Sequence, residues 1–413
     1  MLRVLLVKHN DHMYKHTWPH ITEDTKRAVL SQLEIEEISI YNRSGIFEKF
    51  EDAFVQFLGV KYGLVVSSGT AGLHTAMVAC NFQPGDEVIC PAYTFYASVT
   101  PIFQTGAIPV LCDADLDGNI DPTKIESLIT PRTKAMIVTH MWGIPCDMDA
   151  ISSICKKHDL KLIEDCSHAH GATYKGKKVG SFGDVAVFSL QGQKIITGGE
   201  GGIVVTSSKE IYYRALLFGH YNKRCLQEID KDTKYYEYAV TGFGLKLRAH
   251  PFAIAMANEQ FSHLDEWHRI KKENAEYLSK QLKSISGVVL PAAKNKDDEP
   301  SWYAYTILID SSKLSISTKE FCNKLIEAGI TDADMPGSTC PLNLLKLFQE
   351  PGFLFPYYSK RVHYMPGDFP VAEHFFFNAI KFPIDTSDTK EYREVLDSYA
   401  EIIGSTLERY RVG

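Results

Sequence analysis

No stretch of this chain approaches the ~20 consecutive apolar residues needed to span a bilayer. No internal repeat at solenoid or propeller period occurs either. Basic runs are absent: 44 Lys and Arg stand against 51 Asp and Glu, a formal net charge of −7. A mildly acidic chain of this kind is a poor nucleic-acid partner on electrostatic grounds. The nine cysteines, Cys80 to Cys340, contain no Cys-x-x-Cys pair and no regular spacing. That argues for reduced, buried thiols in a cytoplasmic protein. The opening apolar run, Val4 to Val7, is too short for a secretory signal and turns polar at once. With 45% hydrophobic and 23% charged residues, the composition also excludes disordered and collagen-like material.

What is present is a repeated alternation between about Tyr62 and Ser207. Short Val/Ile/Leu runs begin at Gly63, Glu87, Ile108, Ala135 and Leu160, each followed by a turn and a helix-like stretch. Such runs between helices predict a mostly parallel sheet covered on both faces, an α/β fold. The runs at Val185 and Ile203 follow one another without a helix, so part of the sheet is expected to be antiparallel. Helices are predicted over Thr70 to Asn81, Ser98 to Gln104, from Asp121 with Pro122 in its first turn, and Met148 to His158. Helical periodicity then dominates from His250 to about Lys283. Tyr303 to Ile309 alternates like a half-exposed strand, and Thr318 to Ala328 reads as an amphipathic helix. Residues 61–283 are therefore expected to form a large domain and 284–413 a smaller α+β domain. Residues 1–60, with a helix from Ile46 to Leu58, are expected to pack on the core.

In open α/β sheets ligands bind beyond the carboxyl ends of the strands, so the residues that follow each run matter most. After the first comes Ser67-Ser-Gly-Thr-Ala-Gly72, small residues leading straight into a helix, a start suited to an anion. After the second comes Pro91-Ala-Tyr-Thr-Phe95-Tyr, an aromatic cluster. The fifth ends in Glu164-Asp165, and a carboxylate there is costly unless paired. The next is followed by Ser189 and Lys194, then by the glycine-rich Thr197-Gly-Gly-Glu-Gly-Gly202. A lysine held against such a turn can be desolvated and become a nucleophile toward carbonyls. Together these offer an anion cradle, a ring stacker, a partner for a ring nitrogen and an amine, the four parts a pyridoxal phosphate site needs.

The segments SSGTAGLH, PAYTFYAS, IEDCSHAHGA, GDVAVFS and K-x₃-GGEGG resemble the sugar aminotransferases of the DegT/DnrJ/EryC1/StrS family. The resemblance implies a fold-type I pyridoxal-phosphate enzyme with a large, mostly parallel seven-stranded sheet and a homodimer with its active site at the interface. It places Lys194 on the Schiff-base lysine and Asp165 on the partner of the pyridine nitrogen. Gly69, Thr70 and Ala71 fall on the phosphate turn, Phe95 on the stacking ring and Ser189 on the phosphate serine. His168 stands where Gln is usual, near the cofactor's phenolic oxygen. Lys246, in Gly244-Leu-Lys-Leu-Arg248, falls on a segment that enters the neighbouring subunit's site, where many members carry Asn. Tyr41 and Arg43 fall in a region that helps line the sugar pocket. The implied reaction moves an amino group from glutamate or glutamine to a nucleotide-linked keto-sugar or a keto-cyclitol. Dehydration of a deoxysugar, which a branch with His in place of the lysine performs, and a non-catalytic cofactor-binding role are the alternatives. The series His9, His12, His16, His20 is interrupted by Trp18-Pro19 and lacks Asp or Cys companions, so no metal site is expected.

Overall fold

The computed structural model describes residues 19–412; His9, His12 and His16 lie outside them. Seven strands form the principal sheet: β1 Tyr62–Val66, β2 Glu87–Pro91, β3 Ile108–Cys112, β4 Thr133–Thr139, β5 Lys161–Asp165, β6 Val185–Ser189 and β7 Gly202–Thr206. Their spatial order is β1-β7-β6-β5-β4-β2-β3. Neighbours from β6 to β3 are parallel. Only β7 is antiparallel, to both β1 and β6. It follows β6 with no crossover helix, and parallel pairing needs one. Because β7 is reversed between them, β1 runs in the same direction as β6. The segments following β1, β2, β4, β5 and β6 therefore leave the sheet at one edge.

Alternate residues of each strand feed two cores, as the pleat requires. Leu64, Val66, Ile137 and Val187 join one; Val65, Met136, Val138 and Phe188 join the other. Beneath β1 lies the helix Gly45–Leu58, ended by Gly59 in the left-handed conformation. Glu51 of this helix accepts the Val65 N–H at 2.9 Å. A helix that the sequence reading did not foresee, Glu23–Glu34, starts at Thr22, whose side chain accepts the Thr25 N–H. It docks where Thr25 donates to Glu259 at 2.6 Å.

The stretch read as one helix, Ser98 to Gln104, is instead a 3₁₀ turn, Tyr96–Ser98, followed by a short helix, Thr100–Thr105. Pro101 is confined to a first helical turn, so the α-helix starts beside it. Helix Thr318–Ala328 has the bounds expected, fixed by a reciprocal cap between Ser317 and Glu320.

A second sheet is antiparallel: β8 Val288–Val289, β9 Tyr305–Ile309 and β10 Ala379–Phe382. Strand β9 is buried along its whole length, not half-exposed as its alternation suggested. Tyr305, Ile307 and Ile309 join the core of this second sheet, while Leu308 joins that of the large one. Packing also crosses residue 283 in both directions. Ala275, Leu278 and Leu282 belong to the second core, and Leu342, Phe348 and Phe375 to the large one. Among the described residues no helix is long and apolar enough to cross a membrane. All nine cysteines are unpaired and buried.

Candidate active site

A cavity of about 360 Å³ opens at the edge where the strands deliver their loops. Seven of the residues singled out from sequence line it: Gly69, Thr70, Phe95, Asp165, His168, Ser189 and Lys194. They arrive from segments following β1, β2, β5 and β6, so the strand directions alone bring them together.

The helix Gly69–Ala79 starts at this edge. Its cap, Ser68, accepts the Ala71 N–H at 3.0 Å through its side chain and the Gly72 N–H at 3.0 Å through its carbonyl. Gly69 and Thr70 thus present the open start of the helix to the cavity, where the dipole and unpaired N–H groups favour an anion. Ala71 is spent on the cap and does not line the cavity. Position 69 admits only glycine, because a Cβ there would lie 2.7 Å from Cβ and 2.9 Å from Oγ of Ser189. The Ser189 hydroxyl therefore sits directly against the helix start.

Asp165 is the last residue of β5 and is buried. Ser98 Oγ donates to its Oδ2 at 2.6 Å, and the Ser167 N–H donates to its Oδ1 at 3.0 Å. Thr94 extends the chain, 2.9 Å from Ser98 and donating to Thr139 at 3.2 Å. Ser98 and Thr94 stand in the PAYTFYAS segment, among its aromatic residues. The carboxylate is thus oriented by fixed donors before any ligand arrives.

Lys194 is buried, and burial pushes its pKa down to about 8 against the pull of Asp165. A change of that size means the ammonium is about 3 kcal/mol less favourable there than in water. Its Nζ lies 4.4 Å from the centre of the Tyr303 ring. That ring stacks on the His168 imidazole at 3.9 Å and 7°. Burial, with Lys194 nearby, holds His168 far below its ordinary pKa, so the ring is neutral. Its Nδ1 is buried without a protein partner.

Nothing in the sequence marked Tyr303 as a residue of the site. It is placed by a backbone clasp in which the Tyr303 N–H donates to Trp142 O and the Ser301 N–H to Gly143 O, both at 3.0 Å. Trp142 and Trp302 take positive φ of 56° and 52° in this clasp. For residues so bulky that costs on the order of 1–3 kcal/mol each, a strain that surrounds the site.

Three expected site residues lie elsewhere. Tyr41 is exposed and stacks on the Arg248 guanidinium at 4.6 Å. Arg43 is held among Glu48, Glu51 and Asp52 and does not reach the cavity. Lys246 is exposed and does not line this chain's cavity. His140, Glu164 and Cys166 have ligand-type atoms within 4.8 Å of one another. Glu164 already receives the N–H groups of Gly180, Phe182 and Gly183, and His140 Nδ1 accepts the Cys146 N–H. Hydrogen bonds therefore fill this cluster, and it ties β5 to the segment that leads into β6.

The residues present fit pyridoxal phosphate. Gly69, Thr70 and Ser189 would hold its phosphate, in the space that a Cβ at position 69 would crowd. Asp165 suits its protonated ring nitrogen, Phe95 its ring face and Lys194 its carbonyl. A mostly parallel sheet with this set at its carboxyl edge defines a fold-type I pyridoxal-phosphate enzyme. The sequence profile of the DegT/DnrJ/EryC1/StrS aminotransferase family matches residues 19–398. GDP-perosamine synthase from Escherichia coli O157:H7 is 34% identical over 310 residues, covering 75% of this chain and 80% of that protein. L-glutamine:2-deoxy-scyllo-inosose aminotransferase from Streptomyces fradiae is 32% identical over 324 residues, 76% of each. The crystallographic aminotransferase from Psychrobacter cryohalolentis superposes with a TM-score of 0.83 at 26% identity, over 96% of this chain and 99% of that one. The chain belongs to the DegT/DnrJ/EryC1/StrS family and is a pyridoxal-phosphate-dependent aminotransferase.

The state of Lys194 gives a first testable consequence. An amine attacks a carbonyl only when unprotonated. The rate at which the cofactor-free protein captures pyridoxal phosphate covalently is therefore expected to rise with pH through about 8 and level off above it. Stopped-flow absorbance checks this; a rate still climbing toward pH 10 would mean that the amine is not desolvated.

Proposed function

We propose that this enzyme carries an amino group from L-glutamate or L-glutamine to a keto-sugar, nucleotide-linked, or to a keto-cyclitol, in the making of an amino sugar or aminocyclitol. The observation that carries this is the buried Lys194 amine sharing one cavity with the hydroxyl-oriented Asp165. The relatives support both acceptor classes, since one is named for a GDP-linked product and one for a cyclitol.

Bound at this site, pyridoxal phosphate supplies an electron-withdrawing ring that stabilises negative charge on the carbon losing its proton. Asp165 keeps the proton on the ring nitrogen. Ser98, donating to Asp165, holds that carboxylate in line. Lys194, its pKa lowered by burial to about 8, takes a proton from the substrate carbon and returns it one position away, as base and then acid. Tyr303 and His168 cover the amine and keep bulk water from it. Exposed Lys246 is assigned to the cavity of a second copy, which makes the working unit a homodimer, and the setting is cytoplasmic.

The test is a pair of single-turnover reactions. The loaded enzyme with ¹⁵N-labelled glutamate or glutamine is expected to release one equivalent of 2-oxo acid. A keto acceptor added afterwards is expected to gain the label by mass spectrometry. Loss of water from a deoxysugar without label transfer would establish the dehydratase reading, and no oxo acid from any donor the non-catalytic one.

A further inference from the structure

A second chamber, of about 600 Å³, adjoins the first. Gln193, Tyr303, Ser338 and Thr339 line both. The two are held in register by a short ladder between Tyr93–Phe95 and Thr339–Pro341, which fixes Thr339 opposite Phe95. Tyr303 is thus the partition between them, with Lys194 on one side.

The walls of this chamber are preformed and of two kinds. One is aromatic: Trp142 and Tyr303 lie nearly parallel, their centroids 6.2 Å apart at 21°. The other is an ion pair, Lys381 Nζ to Asp334 Oδ2 at 2.5 Å. That pair does not depend on flexible side chains alone. The Asp334 N–H donates to Lys381 O at 3.1 Å and the Lys381 N–H to Asp334 O at 2.8 Å, so the backbone of β10 pins both residues. Lys271, buried, enters from the long helix Leu264–Leu282 with Asp385 close to it. The formal charges of the lining cancel, Lys271 and Lys381 against Asp332 and Asp334.

A diphosphate needs uncompensated cations or open helix starts. A flat aromatic face beside fixed donors and acceptors of balanced charge suits a ring carrying many hydroxyls. We propose that the second chamber seats the hydroxylated ring of the acceptor, with the Asp334–Lys381 pair holding hydroxyls remote from the reacting carbonyl, and that it is not the seat of a diphosphate. This rests on the sugar or cyclitol reading above and narrows it, since recognition then resides in the ring. Discrimination among acceptors follows, because a site built to pair with a hydroxyl rejects an analogue that lacks it.

The inositol stereoisomers, cyclic polyols with no carbonyl to react, are the binding probe, and uridine diphosphate is the competitor. Calorimetry on the loaded enzyme is expected to detect binding of at least one stereoisomer. Asp334→Asn and Lys381→Met should weaken it about 10- to 100-fold, the loss for a hydrogen bond to a charged group. Lys381→Arg, which keeps the pair, should recover most of the affinity. Lys324→Met, a half-exposed control on helix Thr318–Ala328 that does not line the chamber, should leave it unchanged. In turnover the same two variants should raise the KM of the keto acceptor by a similar factor with kcat nearly constant. Undiminished polyol affinity in Asp334→Asn, or displacement of the polyol by uridine diphosphate, overturns the proposal. No polyol binding to the unaltered enzyme also overturns it. If no keto acceptor gains nitrogen, the functional reading fails, and polyol binding still decides the chamber.

Discussion

Lys194→Ala loses turnover by at least about 10⁴-fold, because one residue supplies both the covalent anchor for the cofactor and the mobile proton. This chain's own neighbourhood leaves no substitute. Among its described residues Lys194 is the only lysine or arginine lining the cavity, and His168 is held neutral by burial. Borohydride treatment followed by mass spectrometry should fix the cofactor on Lys194 in the parent enzyme and on no residue in the variant. An added small amine should restore a fraction of the proton transfer, because it enters the space vacated by the side chain. Multiple-turnover amino transfer by the alanine variant, or cofactor fixed at another lysine, would falsify the assignment.

The largest effect on stability is expected outside that cavity. Arg224 and Glu51 are both fully buried, and their side chains meet at 2.8 Å. Arg224 also binds Glu228 at 2.6 Å. Burial pushes the Glu51 carboxyl up even with this guanidinium beside it. Arg224→Leu leaves the buried Glu51 with only the partly exposed Arg43 as a counter-charge, a loss of about 3 kcal/mol of unfolding free energy. The consequence reaches the active site, since Glu51 holds the N–H of Val65 in β1. That strand leads directly to Gly69 and Thr70. Adding Glu51→Gln to Arg224→Leu should recover at least half of the loss, because the amide carbonyl still accepts from Val65 and carries no charge. Denaturant unfolding of the single and double variants measures both. A double variant no more stable than the single one means that buried charge is not the cause.

Arg43 shows how this network places a residue that resemblance alone could not place. The resemblance put it in a region that helps line the sugar pocket; here Glu48, Glu51 and Asp52, with Glu228 from far along the chain, hold it away from this chain's cavity. The attraction is local and electrostatic, and a pattern of letters does not rank it against a distant ligand. Strand β9 is a similar case. Alternation implied one wet face, but a central strand between two cores has none.

Seven cavity residues were legible from the chain alone, and the reason is geometric. Each ends a strand or belongs to the segment that follows one, and strands of one direction put all such positions on one edge. Hydrophobic runs fix the strands, and short turns fix the residues after them. Gly69, Asp165, Ser189 and Lys194 need nothing more to meet. Tyr303 and Thr339 are different. They lie more than a hundred residues beyond Lys194, and no local preference brings them back. The clasp at Trp142, the ladder beside Phe95 and the shared packing of the two cores decide their position. The sequence by itself therefore determined the cofactor chemistry, written in loops tied to strand ends. Only the tertiary structure decided what covers Lys194 and what shape of acceptor the neighbouring chamber admits, because those contacts join segments that the chain keeps far apart.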